Sequence, residues 1–256
     1  MLGGANDFLT KPIDRVEFSA RTRNMLTLRT GQKFLADRAG HLAALVDEQV
    51  REIREREQEL IFRMSRAAEF RDPETGAHIQ RMAYYSQIIA KGLGLDEKTQ
   101  KLILEAAPMH DVGKIGIPDY ILLKPGRLTF EEFEVMKSHA RLGHELLNGS
   151  GSETLRAGAE IAISHHEKYD GTGYPNALVG TKIPLFGRIV AVADVFDALT
   201  SERPYKKAWP LADACKFLED GRGKHFDPMC VEAFLAGWDE ALKVRQRFQD
   251  EEVPMI

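Results

Sequence analysis

Eight histidine and carboxylate side chains recur along this chain at intervals of about one helix and one connection. Glu74 and His78 are four residues apart and share one helix face. The pair His110-Asp111 follows thirty-two residues after His78, His139 twenty-nine after His110, His165-His166 twenty-six after His139, and Asp194 twenty-eight beyond His166. Imidazole and carboxylate are ligands for divalent transition ions, and a carboxylate can bridge two of them. Asp194 lies inside the apolar run Ile189 to Phe196, where an unpartnered carboxylate would be costly or would stay protonated. One ion with an open catalytic position needs fewer ligands than these. The set suits two or three ions that share bridging carboxylates, with water completing the shells. A water held between two such ions loses a proton near neutral pH and becomes a nucleophile. Lys114, three residues after Asp111, suits a phosphate oxygen. A lone histidine on a helix is ordinarily packed or solvated, and His41, His144 and His225 are read that way.

Two further stretches carry chemistry. Tyr169-Asp170-Gly171-Thr172-Gly173-Tyr174-Pro175 follows His165-His166 directly. Its glycines permit close ligand approach, and Tyr174 offers a ring and a hydroxyl; spacing alone favours a surface turn. In Ser201-Glu202-Arg203-Pro204-Tyr205-Lys206, the cations Arg203 and Lys206 could grip phosphate oxygens, against the alternative of a solvated basic loop.

The elements that must position these groups are helical. Asp72-Pro73 and the capping-box spacing Thr129-Phe130-Glu131-Glu132 read as helix starts. Strand signals are scarce, so residues 68–247 are expected to form one all-α bundle, with 248–256 as a tail. Residues 31–67 are rich in Arg and Glu. Val46, Val50, Ile53, Leu60 and Met64 follow four- and three-residue steps there, broken once at Glu57. About three heptads of this kind predict a long coiled-coil-like helix and a parallel homodimer, the alternative being an amphipathic helix lying on its own domain. Residues 1–30 read as a short strand, a Lys11-Pro12 turn and a helix from Asp14 to Leu28.

Composition excludes other classes. The chain has 256 residues, 43% hydrophobic and 29% charged, with a net charge of −4, which argues against a partner such as duplex nucleic acid. No apolar run approaches a membrane span, and no signal peptide opens the chain. Cys215 and Cys230 form no CxxC pair and read as core residues in a reducing cytoplasm.

Taken together, the blocks Asp72 to His78, Ala107 to Pro118, Lys137-Ser138-His139, His165-His166-Glu167, Asp170 to Pro175 and Arg188 to Tyr205 resemble the HD-GYP domain, a subgroup of the HD phosphohydrolases. The similarity covers about residues 66–247. It implies an all-α HD core that hydrolyses cyclic di-GMP to pGpG or GMP at a centre of two or three iron or manganese ions. By resemblance the metal ligands are His78, His110, Asp111, His139, His165, His166 and Asp194, with Glu74 added in three-metal members. Asp111 would bridge two ions, and Lys114, Tyr174, Arg203 and Lys206 would contact substrate. Ala177 stands where the family commonly has glycine, and Gly187 where it commonly has alanine. Residues 1–30 resemble the last strand and helix of a bacterial receiver domain. The rival expectations are an HD hydrolase of another cyclic dinucleotide and a non-catalytic cyclic di-GMP-binding module.

Overall fold

The computed structural model describes residues 11–69, 76–202 and 207–249. The architecture is all-α. No sheet occurs among the described residues, whose only β-type pairing is an isolated bridge between Arg222 and Phe226. None of the described helices is long and apolar enough to cross a membrane.

Helix α1 runs from Arg15 to Glu69 without interruption. The sequence pattern predicts one helix over 14–28 and a separate one over 31–67, but a single element spans both. Asp14 starts it by accepting hydrogen bonds from the amides of Val16 and Glu17 at 2.8 and 2.9 Å. Neither Gly31 nor Gly40 interrupts it, and Glu–Arg pairs four residues apart, such as Glu17–Arg21, line its surface. The strand expected over residues 4–12 falls largely outside the described residues, as does the helix start at Asp72-Pro73.

The chain divides into two compact units, residues 1–57 and 58–256. In the first, Val46, Val50 and Ile53 of the heptad seam are all exposed on α1. In the second, the last turns of α1 have two faces. Ile61, Ser65 and Ala68 are buried, while the seam residues Leu60 and Met64 keep 62% and 56% of their surface. Leu60 and Met64 are therefore not on the face that these turns lay on the bundle.

The bundle continues with α2 (Gly76–Gly92), α3 (Glu97–Ala106), the short α4 (Asp119–Leu122), α5 (Phe130–Leu147), α6 (Glu153–Ser164), α7 (Leu185–Thr200), α8 (Leu211–Asp220), α9 (Pro228–Ala236) and α10 (Trp238–Arg247). Thr129 and Glu132 form the expected capping box at the start of α5. Asp96, Ser152 and Asp227 cap α3, α6 and α9 by the same chemistry. Helices α2 and α7 run through the middle of the core. Ile79, Met82, Tyr85 and Ile89 of the first and Ile189, Val190, Val192 and Phe196 of the second are all buried, and Tyr85 meets the rings of Phe196 and Phe234 edge-on.

Cys230 is buried and Cys215 partly so, and neither is in a disulfide. His144 Nδ1 donates to the Ala159 carbonyl at 3.0 Å. His225 stacks on Phe226 at 4.1 Å. Both are packed side chains, as expected.

Candidate metal centre

Between α3 and α4 the chain makes two 3-10 turns, Ala107–Met109 and Val112–Gly116, which carry His110 and Asp111 at their junction. The second turn lies against α5 so closely that a Cβ on Gly113 would drive into the carbonyl of His139. Glycine at this position is what lets Asp111 and His139 approach. His165 and His166 arrive at the C-terminal end of α6, His78 from the first turns of α2, and Asp194 from the middle of α7.

These residues gather into two groups, each with ligand atoms lying within 4.8 Å of one another. One comprises Asp111, His139, His165 and His166, the other His78, His110 and Asp194. The carboxylate of Asp111 faces both. Its Oδ1 lies 3.2 Å from His139 Nε2 and 3.4 Å from His165 Nε2, while its Oδ2 lies 3.3 Å from His110 Nε2 and 2.8 Å from Lys114 Nζ. In the second group Asp194 Oδ1 stands 3.7 Å from His78 Nε2 and 4.0 Å from His110 Nε2.

The donor set fits divalent ions. Nδ1 of His110, His139 and His165 sits on the carbonyls of Ala107, Met136 and Ile161, at 3.2, 2.7 and 3.1 Å. Each ring thus gives its proton to the backbone and keeps the Nε2 lone pair for the centre. The buried Nε2 atoms of His139 and His165 and Oδ1 of Asp111 converge without a well-directed hydrogen bond, which is the arrangement a cation satisfies. Burial lowers the pKa of His165 and takes that of His166 well below the imidazole range, so both are neutral ligands at pH 7. Burial alone would raise the Asp111 carboxyl, but the Lys114 ammonium beside it leads the opposing effects, and its pKa lies well below the usual carboxylate range. Two divalent ions fit the two clusters, with Asp111 between them.

Tyr174 tilts over the His166 ring at 4.7 Å, and Lys137 stands over the Tyr174 ring at 5.7 Å. The turn that spacing alone would leave on the surface is thus folded onto the centre. Burial, with Asp111 and Asp194 nearby, pushes the Tyr174 phenol above its usual range, so it keeps its proton. The turn is built from within. The buried carboxylate of Glu167 accepts from the amides of Asn176 and Leu178 at 2.7 and 3.0 Å, and a Cβ on Gly173 would strike the backbone of Glu167 and Lys168. Ala177 has φ of 52°, in the left-handed region that glycine adopts freely. Gly187 lies against Ser164, whose hydroxyl fills the space an alanine methyl would need.

Asp194 is mostly buried, with 20% of its side chain exposed. The fully buried carboxylate of α7 is Asp197, one turn later, which sequence reasoning passed over. Its Oδ2 lies 2.7 Å from His78 Nδ1, and its two oxygens take Arg81 Nε and Nη2 at 2.6 and 2.9 Å. Despite burial, His78 and Arg81 hold its pKa down to about 2. The signal was present as two pairs at three-residue spacing, His78/Arg81 on α2 and Asp194/Asp197 on α7, each pair sharing a helix face. Glu74, Arg203 and Lys206 lie outside the described residues. The described site residues His78, His110, Asp111, Lys114, His139, His165, His166, Tyr174 and Asp194 all meet in this one region.

A helical bundle with two histidine-carboxylate clusters joined at a His-Asp step defines a class of metal-site protein. The chain belongs to the HD domain family, whose model matches residues 63–230. It is 50% identical over 234 residues, 91% of this chain and 62% of the relative, to the cyclic di-GMP phosphodiesterase response regulator RpfG of Xanthomonas campestris pv. campestris. It is 45% identical over 199 residues, 78% of this chain and 38% of the relative, to the 3'3'-cGAMP-specific phosphodiesterase 2 of Vibrio cholerae. The chain thus spans about three-fifths or less of the length of these two relatives. Among solved structures, the cyclic GMP-AMP-specific phosphodiesterase V-cGAP3 of V. cholerae superposes with a TM-score of 0.56 at 20% identity. That match covers 76% of this chain and 51% of that one, a likeness of fold.

Proposed function

We propose that the chain is a metal-dependent phosphodiesterase of the HD-GYP subgroup that hydrolyses cyclic di-GMP to pGpG or GMP in bacterial second-messenger signalling. The observation that carries this reading is Asp111, which turns one oxygen to each of two histidine clusters. The ligands are assigned as His78, His110 and Asp194 on one side and His139, His165 and His166 on the other, bridged by Asp111. Glu74 and the phosphate-gripping Arg203 and Lys206 are added by resemblance alone. Iron or manganese held by these ligands would supply Lewis acidity and water activation.

The protein's own groups do the rest. Lys114, paired with Asp111 at 2.8 Å, is placed to shift toward a non-bridging phosphate oxygen once Asp111 is otherwise neutralised. Tyr174 presents a protonated phenol and a ring face beside His166, which suits a hydrogen bond to phosphate and contact with a nucleobase. Purified protein supplied with Mn(II) or Fe(II) should release pGpG or GMP from cyclic di-GMP. Metal-loaded protein that binds cyclic di-GMP yet never releases product would identify a non-catalytic sensor instead.

A second reading, hydrolysis of 3'3'-cGAMP, is favoured by the Vibrio relative of that name. Parallel turnover of the two cyclic dinucleotides separates the readings, and the better substrate by kcat/KM decides.

The organisation proposed is a receiver-like C-terminal end over 1–30, a coiled-coil helix over 31–67 and the catalytic bundle over 68–247, in a cytoplasmic homodimer. Support comes from the exposed seam Val46, Val50, Ile53, Leu60 and Met64, and from the response-regulator relative. Val50→Glu with Ile53→Glu should convert a dimer to a monomer in sedimentation; an unchanged dimer would place the interface elsewhere.

A further inference from the structure

His110, His139 and His165 hang their Nδ1 atoms on backbone carbonyls, whereas His78 hangs on the carboxylate of Asp197. Both oxygens of that carboxylate are engaged by protein groups. Its Oδ1 accepts from Arg81 Nε at 2.6 Å; its Oδ2 faces His78 Nδ1 at 2.7 Å, Arg81 Nη2 at 2.9 Å and the Ser201 hydroxyl at 3.0 Å. Arg81 is itself tied down. Its Nη2 donates to Ser201 Oγ at 2.7 Å and its Nη1 to the Phe248 carbonyl at 2.9 Å. Arg81 and Asp197 are both almost wholly buried. A buried guanidinium and carboxylate in fork geometry form a rigid unit, and removing one member leaves the other charged and unpartnered.

We propose that Asp197 and Arg81 are positioning residues that set the metal affinity of the His78–His110–Asp194 cluster through His78. They fix its proton on Nδ1 and its Nε2 toward Asp194. The inference rests on the reading of that cluster as a metal site. Helices α2 and α7 make it possible because His78 and Arg81 stand one turn apart on one, facing Asp194 and Asp197 one turn apart on the other. Asp197→Asn can still accept from His78, but its amide NH2 then confronts the guanidinium, donor against donor. Arg81→Lys keeps the charge and loses the fork. The Asp111–His139–His165–His166 cluster uses none of these groups.

The test is a Mn(II) titration of the metal-stripped full chain, with free ion followed by EPR and folding by circular dichroism. Wild type should show two binding events. Asp197→Asn should weaken one by about 10–100-fold and leave the other in place, since partners of ligating histidines carry that much affinity. Should Asp197→Asn fail to fold, Arg81→Lys and Ser201→Ala remain, and both should weaken the same event by lesser factors. Two events at wild-type affinity in folded variants would overturn the proposal. Equal weakening of both events would also overturn it, marking a merely structural role. Wild type that binds no Mn(II) would sink the metal-site reading itself, a result distinct from either.

Discussion

The two halves of the centre are held by different means. His139 and His165 are oriented by carbonyls of their own helices, at 2.7 and 3.1 Å, so their direction follows from helix geometry and survives most side-chain changes. His78 is oriented by Asp197, which depends on Arg81, which reaches Ser201 and Phe248. One half is thus set by the backbone, while the other depends, at His78, on a buried polar network across two helices. Such a network is rigid when complete and fails as a unit when one member is lost. The His78 half should therefore be the one that single polar substitutions break.

Asp111 serves both halves, so its loss should have the largest effect. Asp111→Ala should release both ions, and turnover should fall by about 10³-fold or more, because a metal centre contributes several kcal/mol of charge stabilisation. Metal content and product release from one preparation check this, and wild-type turnover would end the bridging assignment. Next come the single-half lesions. His139→Ala should empty the backbone-held half and His78→Ala the network-held half, each by at least ~100-fold in affinity at its own site. Loss of both ions from either variant would show that the halves do not bind independently.

Gly113→Ala tests the backbone-held half without touching a ligand. Its methyl would push the Asp111 turn away from the His139 carbonyl, and the overpacking should cost about 1–3 kcal/mol in denaturant melts. Metal affinity should drop with it. The smallest effect is expected at Ala177. Relieving its positive φ recovers about 1–2 kcal/mol of backbone strain, part of which glycine's greater chain freedom returns. Ala177→Gly should raise stability by up to ~1 kcal/mol in the same melts.

Much of the bundle and its centre was legible in the sequence, for stated reasons. Regular spacing of histidines at one helix per ligand, the Thr129–Glu132 box and the scarcity of strand signals are local patterns, and they survived folding. Four things were not legible. The continuity of α1 through Gly31 and Gly40 is a matter of degree, since an isolated glycine weakens a helix by about 1 kcal/mol without ending it. The depth of Asp194 against Asp197 depends on which side of α7 opens onto the site, and an apolar run reads the same on all sides. The Tyr174 turn resembles any Gly-rich loop until Glu167 is seen to gather its amides beneath it. Ser164 filling the space beside Gly187 is a pairing between residues far apart in the chain, beyond the reach of local pattern.

The centre as a whole turns on whether Asp111 joins two ions. EPR of the full chain loaded with two equivalents of Mn(II) reads this directly, because ions sharing a bridging carboxylate are magnetically coupled. The geometry predicts a coupled Mn(II)–Mn(II) spectrum that Asp111→Ala abolishes. Only the six-line signal of isolated Mn(II), at full loading of the wild type, would contradict it.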